Sequence, residues 1–421
     1  MPRGAAGPRG SAAPRRLTAR GPVSPSTDRS AGAARDGIDG TRRAWVEVDV
    51  AALLRNARRL AGRLDDSVGL LPMVKADGYG LGAVRVARAL EELDPWGYGV
   101  ATVDEGAALR RAGIDRRIVL FTTWAGRDGD DAAGLRLEPA VSSVEALRTL
   151  AGSVSGDASL PVHLEVDSGM GRLGLLADAH GRWVPEVRRI LAGSPVEIAS
   201  TFTHFHSAES DDEATRGQAR RFRRALDGMR RAGLEPGAVH LSNSAAALRH
   251  PDLSADLVRP GLYLYGGRGA EPVASVRARV LDVRRVPAGH TVSYGATWTT
   301  AEPSRLATLG IGYGDGLRRE LSNRWEALVE GRRTPVRGTV CMDMTVVDVS
   351  DVPEAEAGAV ATLLGRDGEE VVSLEEMAAT CGTIPYEILT GLGGRLPRLT
   401  VGVGDDEGAA GAGTETRERV E

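Results

Sequence analysis

The first half of the chain alternates short apolar runs with segments of helical periodicity. The earliest helix is predicted to begin after Asp49, a residue suited to capping a helix N-terminus, because apolar residues then recur at the spacing of one buried face. These apolar positions are Val50, Leu53, Leu54, Ala57, Leu60, Ala61 and Leu64. Eight later apolar runs predict strands, at residues 70–74, 98–102, 118–121, 139–142, 162–166, 198–203, 239–241 and 256–259. Most are separated by a helical segment, which favours an N-terminal (β/α)8 TIM-like barrel over a doubly wound sheet.

The pattern changes after Ala274, where strand-like runs replace the helical periods. Examples are residues 305–311, 335–340 and 345–349, and one helix at 373–379 interrupts them. We therefore predict an α/β barrel over residues 44–269 followed by a mainly β domain over residues 270–402. The first strand, near residues 44–48, could instead join the β domain.

The two ends of the chain, residues 1–43 and 403–421, show no apolar periodicity. The first is rich in Arg, Ala, Gly, Pro and Ser and the second in Gly, Ala and acidic residues, which are compositions typical of disorder. A secretory signal needs an apolar run of about 7 to 15 residues, and the leader contains none. We expect a disordered leader and tail, and no export.

Composition narrows the class of protein further. With 53 basic and 57 acidic residues and a net charge of −4, the chain does not resemble a strongly basic nucleic-acid-binding protein. No run approaches the roughly 20 apolar residues of a membrane helix. The two cysteines, Cys341 and Cys381, suggest neither a disulfide framework nor a zinc site. We expect a cytoplasmic protein that binds no nucleic acid, membrane or metal.

One count points to chemistry, since Lys75 is the only lysine among the 53 basic residues. Arginine has replaced lysine wherever charge alone is required, so a retained lysine is expected to do what arginine cannot. A guanidinium stays protonated in proteins, whereas an amine can lose its proton, attack a carbonyl and form a Schiff base.

Polar and glycine-rich segments follow the ends of the predicted barrel strands. The catalytic groups of such barrels come from the C-terminal ends of the strands, so these segments predict one shared site. In strand order their candidate residues are Lys75, Arg172, His204, Asn243 with Ser244, and Arg259.

These segments also carry a family resemblance. The chain resembles the alanine racemases from about Trp45 to Arg398, through the motifs VKADGYG, GMGRLG, THF, SNSAA, RPGLYLYG, SYGATW, GYGDG and VCMD. The resemblance implies a pyridoxal 5'-phosphate enzyme with a barrel and a C-terminal β domain. It also implies a homodimer whose active sites are shared across the interface.

The resemblance implies that two bases exchange the proton at the substrate Cα on an external aldimine of the cofactor. Lys75 matches the residue that holds the cofactor and serves as one base. Tyr294 matches the second base, which reaches the barrel from the partner subunit. A second base is required because one base returning its proton to the same face would regenerate the same enantiomer.

The remaining site residues are also carried over from the family. The residues matching cofactor contacts are Lys75, Tyr79, Arg172, His204, Asn243, Ser244, Arg259, Gly261 and Leu262. The residues matching substrate contacts are Arg172, Tyr313 and Met342, with Glu165, Cys341 and Asp343 in supporting positions. Among these, Arg259 matches the group that faces the pyridine nitrogen, and Tyr79 and Ser244 match phosphate contacts.

Two positions depart from the family pattern. Glu165 stands where many members carry a lysine that becomes carbamylated, and we expect its carboxylate to pair with Arg172 and replace the carbamate. Gly394 stands where the resemblance implies a phosphate-binding tyrosine in some members. Glycine cannot make that contact, so either another residue donates to the phosphate or the cofactor affinity is lower.

The predicted function is therefore the interconversion of L-alanine and D-alanine, supplying D-alanine for peptidoglycan. Two alternatives stay open: a racemase for serine or a broader range of amino acids, and a non-catalytic pyridoxal-phosphate-binding protein. A decarboxylase of related fold is disfavoured, because the glycine-triplet phosphate loop and the cysteine-bearing motif expected of it are missing from the sequence.

Overall fold

The computed structural model describes residues 42–122, 129–154 and 159–402. Of the predicted leader, only Arg42 and Arg43 fall inside these ranges, and the predicted tail lies outside them. A compact unit begins at Arg42. Within the described ranges no helix is long and apolar enough to cross a membrane.

Eight parallel strands form the predicted barrel. The first ten strands of the chain are β1 (Ala44–Asp49), β2 (Gly69–Leu70), β3 (Gly97–Val100), β4 (Arg117–Leu120), β5 (Glu138–Val141), β6 (Leu160–Asp167), β7 (Leu175–Leu176), β8 (Val196–Phe202), β9 (Ala238–Asn243) and β10 (Leu257–Arg259). The barrel order is β2-β10-β9-β8-β6-β5-β4-β3, and a parallel bridge between Met73 and Gly99 joins its two edges. The barrel prediction is confirmed, with each strand shifted by a few residues at most.

Helical segments connect the barrel strands along the chain. They are α1 (Val50–Ala61), α2 (Lys75–Tyr79), α3 (Ala83–Leu90), α4 (Val103–Arg111), α5 (Gly129–Gly134), α6 (Val144–Ser153), α7 (His180–Leu191), α8 (Asp212–Arg231) and α9 (Ser244–Arg249). One of them, α2, is a left-handed turn at the rim. Asp49 caps α1 as predicted, since its carboxylate accepts a hydrogen bond from the Ala52 amide at 2.8 Å. Of the predicted apolar face, Leu53, Ala57 and Leu60 are fully buried, whereas the other predicted positions are half-buried.

The β domain consists of a nine-stranded sheet, antiparallel apart from one pairing, and a separate two-stranded sheet. Its elements are β11 (Ala274–Val286), β12 (Thr291–Val292), β13 (Trp298–Thr299), β14 (Ser304–Leu309), β15 (Glu326–Val329), β16 (Arg332–Pro335), β17 (Thr345–Asp348), β18 (Val360–Asp367), β19 (Glu370–Val372) and β20 (Arg398–Val401), with helices α10 (Leu374–Cys381) and α11 (Pro385–Thr390). Strands β12 and β13 form the two-stranded sheet. Strand β1 pairs antiparallel with β11 and parallel with β20, so the first strand lies in the nine-stranded sheet.

The predicted strand at residues 335–340 is wrong. Strand β16 ends at Pro335, and only an isolated bridge between Val336 and Val347 follows it. Gly338 has a φ of 79° and lies against the Val292 backbone, so the chain turns where continued extension was predicted. Helix α11 was not predicted.

Helix α11 brings the β domain onto the barrel rim. Gly80, at the end of α2, lies so close to α11 that a Cβ there would be 2.5 Å from the Leu389 carbonyl oxygen. This close approach places the C-terminal end of α11 against the turn that follows Lys75.

Candidate active site

A cavity of about 400 Å³ opens at the C-terminal rim of the barrel. The residues predicted to contact a cofactor all line it: Lys75, Tyr79, Arg172, His204, Asn243, Ser244, Arg259, Gly261 and Leu262. Glu165 lines the same cavity. The C-terminal strand ends thus bring together residues that are spread over almost 190 positions of sequence, between 75 and 262.

Lys75 is followed at once by a left-handed turn. Ala76, Asp77, Gly78 and Tyr79 have φ values between 52° and 62°, a region that costs non-glycine residues roughly 1–2 kcal/mol each. Two carboxylates hold the turn: Glu105 accepts from the Ala76 amide at 2.7 Å, and Asp77 accepts from the Ala83 amide at 2.9 Å. Strain held in this way is typical of a functional site.

The Lys75 amine is set up to lose its proton. Burial lowers its pKa below the usual 10.5, and the positive charge of Arg172 lowers it further. Glu105 opposes this shift, whereas Arg259 adds to it. More of the amine is therefore neutral at a given pH than for an exposed lysine.

Tyr79, Ser244 and Gly261 form a small cradle at one end of the cavity. The Gly261 amide donates to Ser244 Oγ at 2.8 Å, and a Cβ at position 261 would overlap the Tyr79 hydroxyl. The Tyr79 ring stacks on Tyr265 with centroids 4.5 Å apart, while the Tyr265 hydroxyl donates to the Met73 carbonyl. Tyr79 is only 6% exposed and lines the cavity. The cradle thus holds hydroxyl and amide donors close together.

Asn243 serves this end of the site through the backbone. Its side-chain oxygen accepts from the Ala246 amide at 3.0 Å and caps α9, whose first residue is Ser244. Asn243 therefore fixes the start of the helix that carries the Ser244 hydroxyl.

Arg259 ends β10 and lies buried under the cavity. Its guanidinium donates to the Thr203 carbonyl oxygen at 2.7 Å and to His240 Nδ1 at 2.8 Å, and it lies 3.3 Å from His204 Nδ1. Burial lowers the pKa of Arg259 to about 10, so it remains a cation at neutral pH. Burial, together with Arg259, lowers the pKa of His204 to about 3, which keeps that imidazole neutral.

Glu165 and Arg172 form an ion pair across the cavity wall. Glu165 on β6 is 4% exposed, and its Oε1 lies 3.7 Å from Arg172 Nη2. Burial raises the pKa of Glu165, while Arg172 and Arg259 oppose the shift. The pairing expected from the sequence is therefore present in the structure.

Sequence reasoning missed several cavity residues, chiefly Tyr386 on α11. The Tyr386 ring lies 6.0 Å from that of Tyr79, and Ile384 lines the cavity beside it. Gly394 does not line the cavity, and a Cβ there would meet nothing within 4 Å. The sequence signal that could have revealed α11, and with it Tyr386, is Pro385, because proline is typical of the first turn of a helix. The apolar residues Met73, Phe121 and Phe202 complete the missed set.

The structure does not bring Tyr294, Tyr313 or Met342 into the cavity of their own protomer. Their side chains are exposed, by 73% for Tyr294, 43% for Tyr313 and 52% for Met342. Backbone bonds join two of their loops, because the Tyr313 amide donates to the Cys341 carbonyl and the Gly314 amide to that of Met342. We call Tyr294, Tyr313 and Met342 the aromatic patch.

Polar contacts hold the aromatic patch together from behind. Ser293 Oγ lies 3.2 Å from Cys341 Sγ and donates to the Thr339 carbonyl. Asp343 pairs with Arg395 at 2.8 Å. Cys341 and Asp343 therefore support the loops of this surface and do not line the cavity.

Asp315, fully buried next to Tyr313, anchors the same loops. It accepts from Arg43 at 2.6 and 2.8 Å and pairs with Arg395 at 2.9 Å. Burial opposes ionisation of Asp315, but the hydrogen bonds from Arg43 and the Gly312 amide leave its pKa below the usual value. Arg43, from the predicted leader, is thus part of this support.

Two known domain families match most of the chain. The family described as alanine racemase, N-terminal domain, matches residues 48–269, and that described as alanine racemase, C-terminal domain, matches residues 273–400. The alanine racemase of Nostoc sp. is 36% identical over 375 residues, which cover 86% of this chain and 96% of that protein.

Solved structures give the same result. The crystal structure of alanine racemase from Bacillus anthracis with bound L-Ala-P superposes with a TM-score of 0.78 at 32% identity, covering 86% of this chain and 95% of that one. The structure of alanine racemase from Bartonella henselae with covalently bound pyridoxal phosphate gives a TM-score of 0.76 at 30% identity, over 86% of this chain and 100% of that one.

Proposed function

This chain belongs to the alanine racemase family of pyridoxal-phosphate-dependent isomerases, and we propose that it interconverts L-alanine and D-alanine. The observation that carries the proposal is the position of Lys75. The only lysine of the chain lines a rim cavity beside two arginines that lower its pKa. The relatives named alanine racemase, one of them with bound L-Ala-P, support alanine as the substrate.

The cavity fits pyridoxal 5'-phosphate. It has the volume of a small-ligand site, one amine for covalent attachment, and a hydroxyl and amide cradle that a Cβ at Gly261 would fill. We assign Lys75 as the attachment point and Tyr79, Ser244, Gly261 and Leu262 as the phosphate-binding residues. Tyr386 joins them as the second tyrosine, which makes Gly394 irrelevant to this role.

When bound to an amino acid, the cofactor supplies an electron-withdrawing ring that acidifies the hydrogen on Cα. Lys75 Nζ accepts or returns that proton on one face, and its lowered pKa favours the neutral amine that this task requires. The Tyr294 hydroxyl of the partner subunit serves the opposite face. Arg259 would donate a hydrogen bond to the ring nitrogen of the bound cofactor without readily giving up a proton.

The aromatic patch supports a shared active site. Tyr294 is largely exposed on the β domain and away from its own cavity, so it reaches a proton on Cα only if a second copy presents it. We therefore infer a homodimer in which Tyr294, Tyr313 and Met342 of each subunit close the cavity of the other. Arg172 and the Met342 backbone amide hold the substrate carboxylate.

The bulk of Tyr313 and Met342 favours a side chain as small as methyl. Serine adds only a hydroxyl, which an apolar pocket rejects weakly, so we expect slower but detectable serine turnover. We place the enzyme in the cytoplasm, where its D-alanine supplies peptidoglycan synthesis.

The direct test incubates purified protein with pyridoxal phosphate and L-alanine or L-serine and measures the D-enantiomers by chiral chromatography. We expect D-alanine from the wild type and none from Lys75→Ala. Faster conversion of serine than alanine would move the assignment to a serine racemase. Bound cofactor without any racemisation would leave the non-catalytic alternative.

A mixing experiment tests the shared site. Lys75→Ala and Tyr294→Phe are each expected to be inactive, but a hybrid dimer retains one site with both bases. Random reassociation of equal amounts makes half of the dimers hybrid, so activity should return to about one quarter of the wild-type value. No recovery on confirmed subunit exchange would show that both bases act within one chain.

A further inference from the structure

A chain of hydrogen bonds crosses the interior of the barrel from Arg259 to the opposite rim. Arg259 contacts His240 Nδ1 at 2.8 Å, and His240 Nε2 lies 2.8 Å from Ser200 Oγ. Ser200 Oγ lies 2.6 Å from His163 Nδ1, and His163 Nε2 lies 3.0 Å from Glu138 Oε2. Each step joins neighbouring strands, in the order β10, β9, β8, β6 and β5. We call these residues the barrel relay.

The barrel relay has a carboxylate at its far end. Glu138 is the first residue of β5, at the N-terminal rim, and pairs with Arg117 at 3.2 Å. Arg117, the first residue of β4, lies over the face of Trp96 at 4.7 Å. The charged pair therefore closes the bottom of the barrel, while Arg259 lies under the cavity at the top.

Only one direction of donation satisfies every member of the relay. In this direction Arg259, which can only donate, donates to His240 Nδ1, and His240 carries its proton on Nε2. His240 then donates to Ser200, Ser200 to His163 Nδ1, and His163 Nε2 to Glu138, which as a carboxylate can only accept. Burial lowers the pKa of both histidines, which keeps both rings neutral.

We propose that Glu138 is a positioning residue that, through His163 and Ser200, sets the tautomer of His240 and so the orientation of the Arg259 guanidinium. If the direction were reversed, His240 Nδ1–H would face the N–H groups of Arg259. Arg259 is 4% exposed, so it could not recover this bond from water and would shift toward the backbone carbonyls nearby. The effect on turnover rests on the function proposed above, whereas the tautomer does not.

The test measures imidazole ¹⁵N shifts in the full-length protein labelled at its seven histidines, with and without pyridoxal phosphate. We expect His163 and His240 both to be neutral and protonated at Nε2. Spectra of His163→Asn and His240→Asn assign the two signals. A wild-type His240 protonated at Nδ1 would overturn the proposal whether or not the protein racemises alanine.

Variants then test the link from Glu138 to His240. In Glu138→Gln the end group can donate as well as accept, so only Arg259 still favours one direction. His240 should then populate the second tautomer in part, and kcat should fall about ten-fold, with KM for alanine within two-fold. In a Ser200→Ala background the relay is already cut, so the same change at Glu138 should leave His240 and kcat unaltered. An unaltered His240 signal in Glu138→Gln, or an equal effect in both backgrounds, would refute the link.

A matched control lies on the same strand as Ser200. Thr201 is fully buried on β8, and its hydroxyl donates to the Pro236 carbonyl at 2.7 Å, outside the relay. Thr201→Val should cost stability without changing the His240 tautomer. A shift in the tautomer here as large as in Glu138→Gln would mean that the signal reports general loosening of the barrel.

Discussion

Replacing Glu165 by glutamine removes the only carboxylate that lines the described cavity. The change keeps the shape of the side chain but leaves Arg172 without the negative charge 3.7 Å away. We expect Arg172 to become less ordered and to hold the substrate carboxylate more weakly. The effect should appear mainly in KM for alanine, because the role we propose for Arg172 is to bind the substrate and not to move the Cα proton.

The size of this effect follows from the geometry. Two unit charges 3.7 Å apart attract by about 1 kcal/mol at the permittivity of water and by about 4 kcal/mol at an effective permittivity of 20. The Arg172 side chain is 53% exposed, so the lower value is the better guide. About 1 kcal/mol corresponds to roughly a five-fold rise in KM, which is the change we expect.

The assay compares KM and kcat of wild type, Glu165→Gln and a surface control. Glu271→Gln removes a carboxylate that pairs with Arg55 and Arg59 far from the reaction and should change neither constant. Wild-type activity should not depend on bicarbonate, whereas Glu165→Lys should regain activity when bicarbonate is added and a carbamate forms. A KM for Glu165→Gln within two-fold of wild type, or a fully active Glu165→Ala, would refute the reasoning.

The pH dependence gives a second readout of the same group. Burial raises the pKa of Glu165 above 4.5, so its negative charge is present at high pH and is lost as the pH falls through that raised value. KM of the wild type should therefore rise on acidification before ordinary carboxylates titrate. The KM of Glu165→Gln should lack this rise, and a parallel rise in both proteins would assign it to another group.

Three further changes test other parts of the site. Tyr294→Phe should lower kcat by roughly 10²- to 10⁴-fold while cofactor binding stays unchanged, as measured by absorbance titration. Tyr386→Phe should weaken pyridoxal phosphate binding by about ten-fold but leave the binding of pyridoxal, which has no phosphate, unaltered. Gly261→Ala places a methyl group against the Tyr79 hydroxyl, so it should weaken cofactor binding more than it lowers thermal stability. The control is Gly113→Ala, whose methyl group meets open space at a positive φ, so it should lower stability without weakening cofactor binding.

The sequence predicts the barrel half of the site well because the relevant signals are local. Eight apolar runs and the rule that active sites lie at the C-terminal strand ends place Lys75, Arg172 and Arg259 around one cavity. The family motifs then assign a role to each. Neither step requires knowing which distant elements are in contact, apart from the order of the strands.

What sequence reasoning missed depends on contacts between elements that are far apart in the chain. Tyr386 lines the cavity because α11 packs on the turn after Lys75. The hydrophobic periodicity of the sequence does not predict this contact between α11 and the turn. The members of the barrel relay are buried on separate strands. A single polar residue in an apolar strand, such as Ser200 or Glu138, gives no sequence pattern from which its contacts could be predicted.

The charges around the cavity explain why one lysine stands among arginines. Arg172 and Arg259 stay cationic and attract an anionic ligand, and both lower the pKa of Lys75. A second lysine in place of either arginine could lose its own proton, which would weaken both effects at once. In the function we propose, two permanent cations therefore let the same cavity bind a phosphate and a substrate carboxylate while keeping its one amine able to release a proton. The retention of a single lysine is what this division of tasks requires.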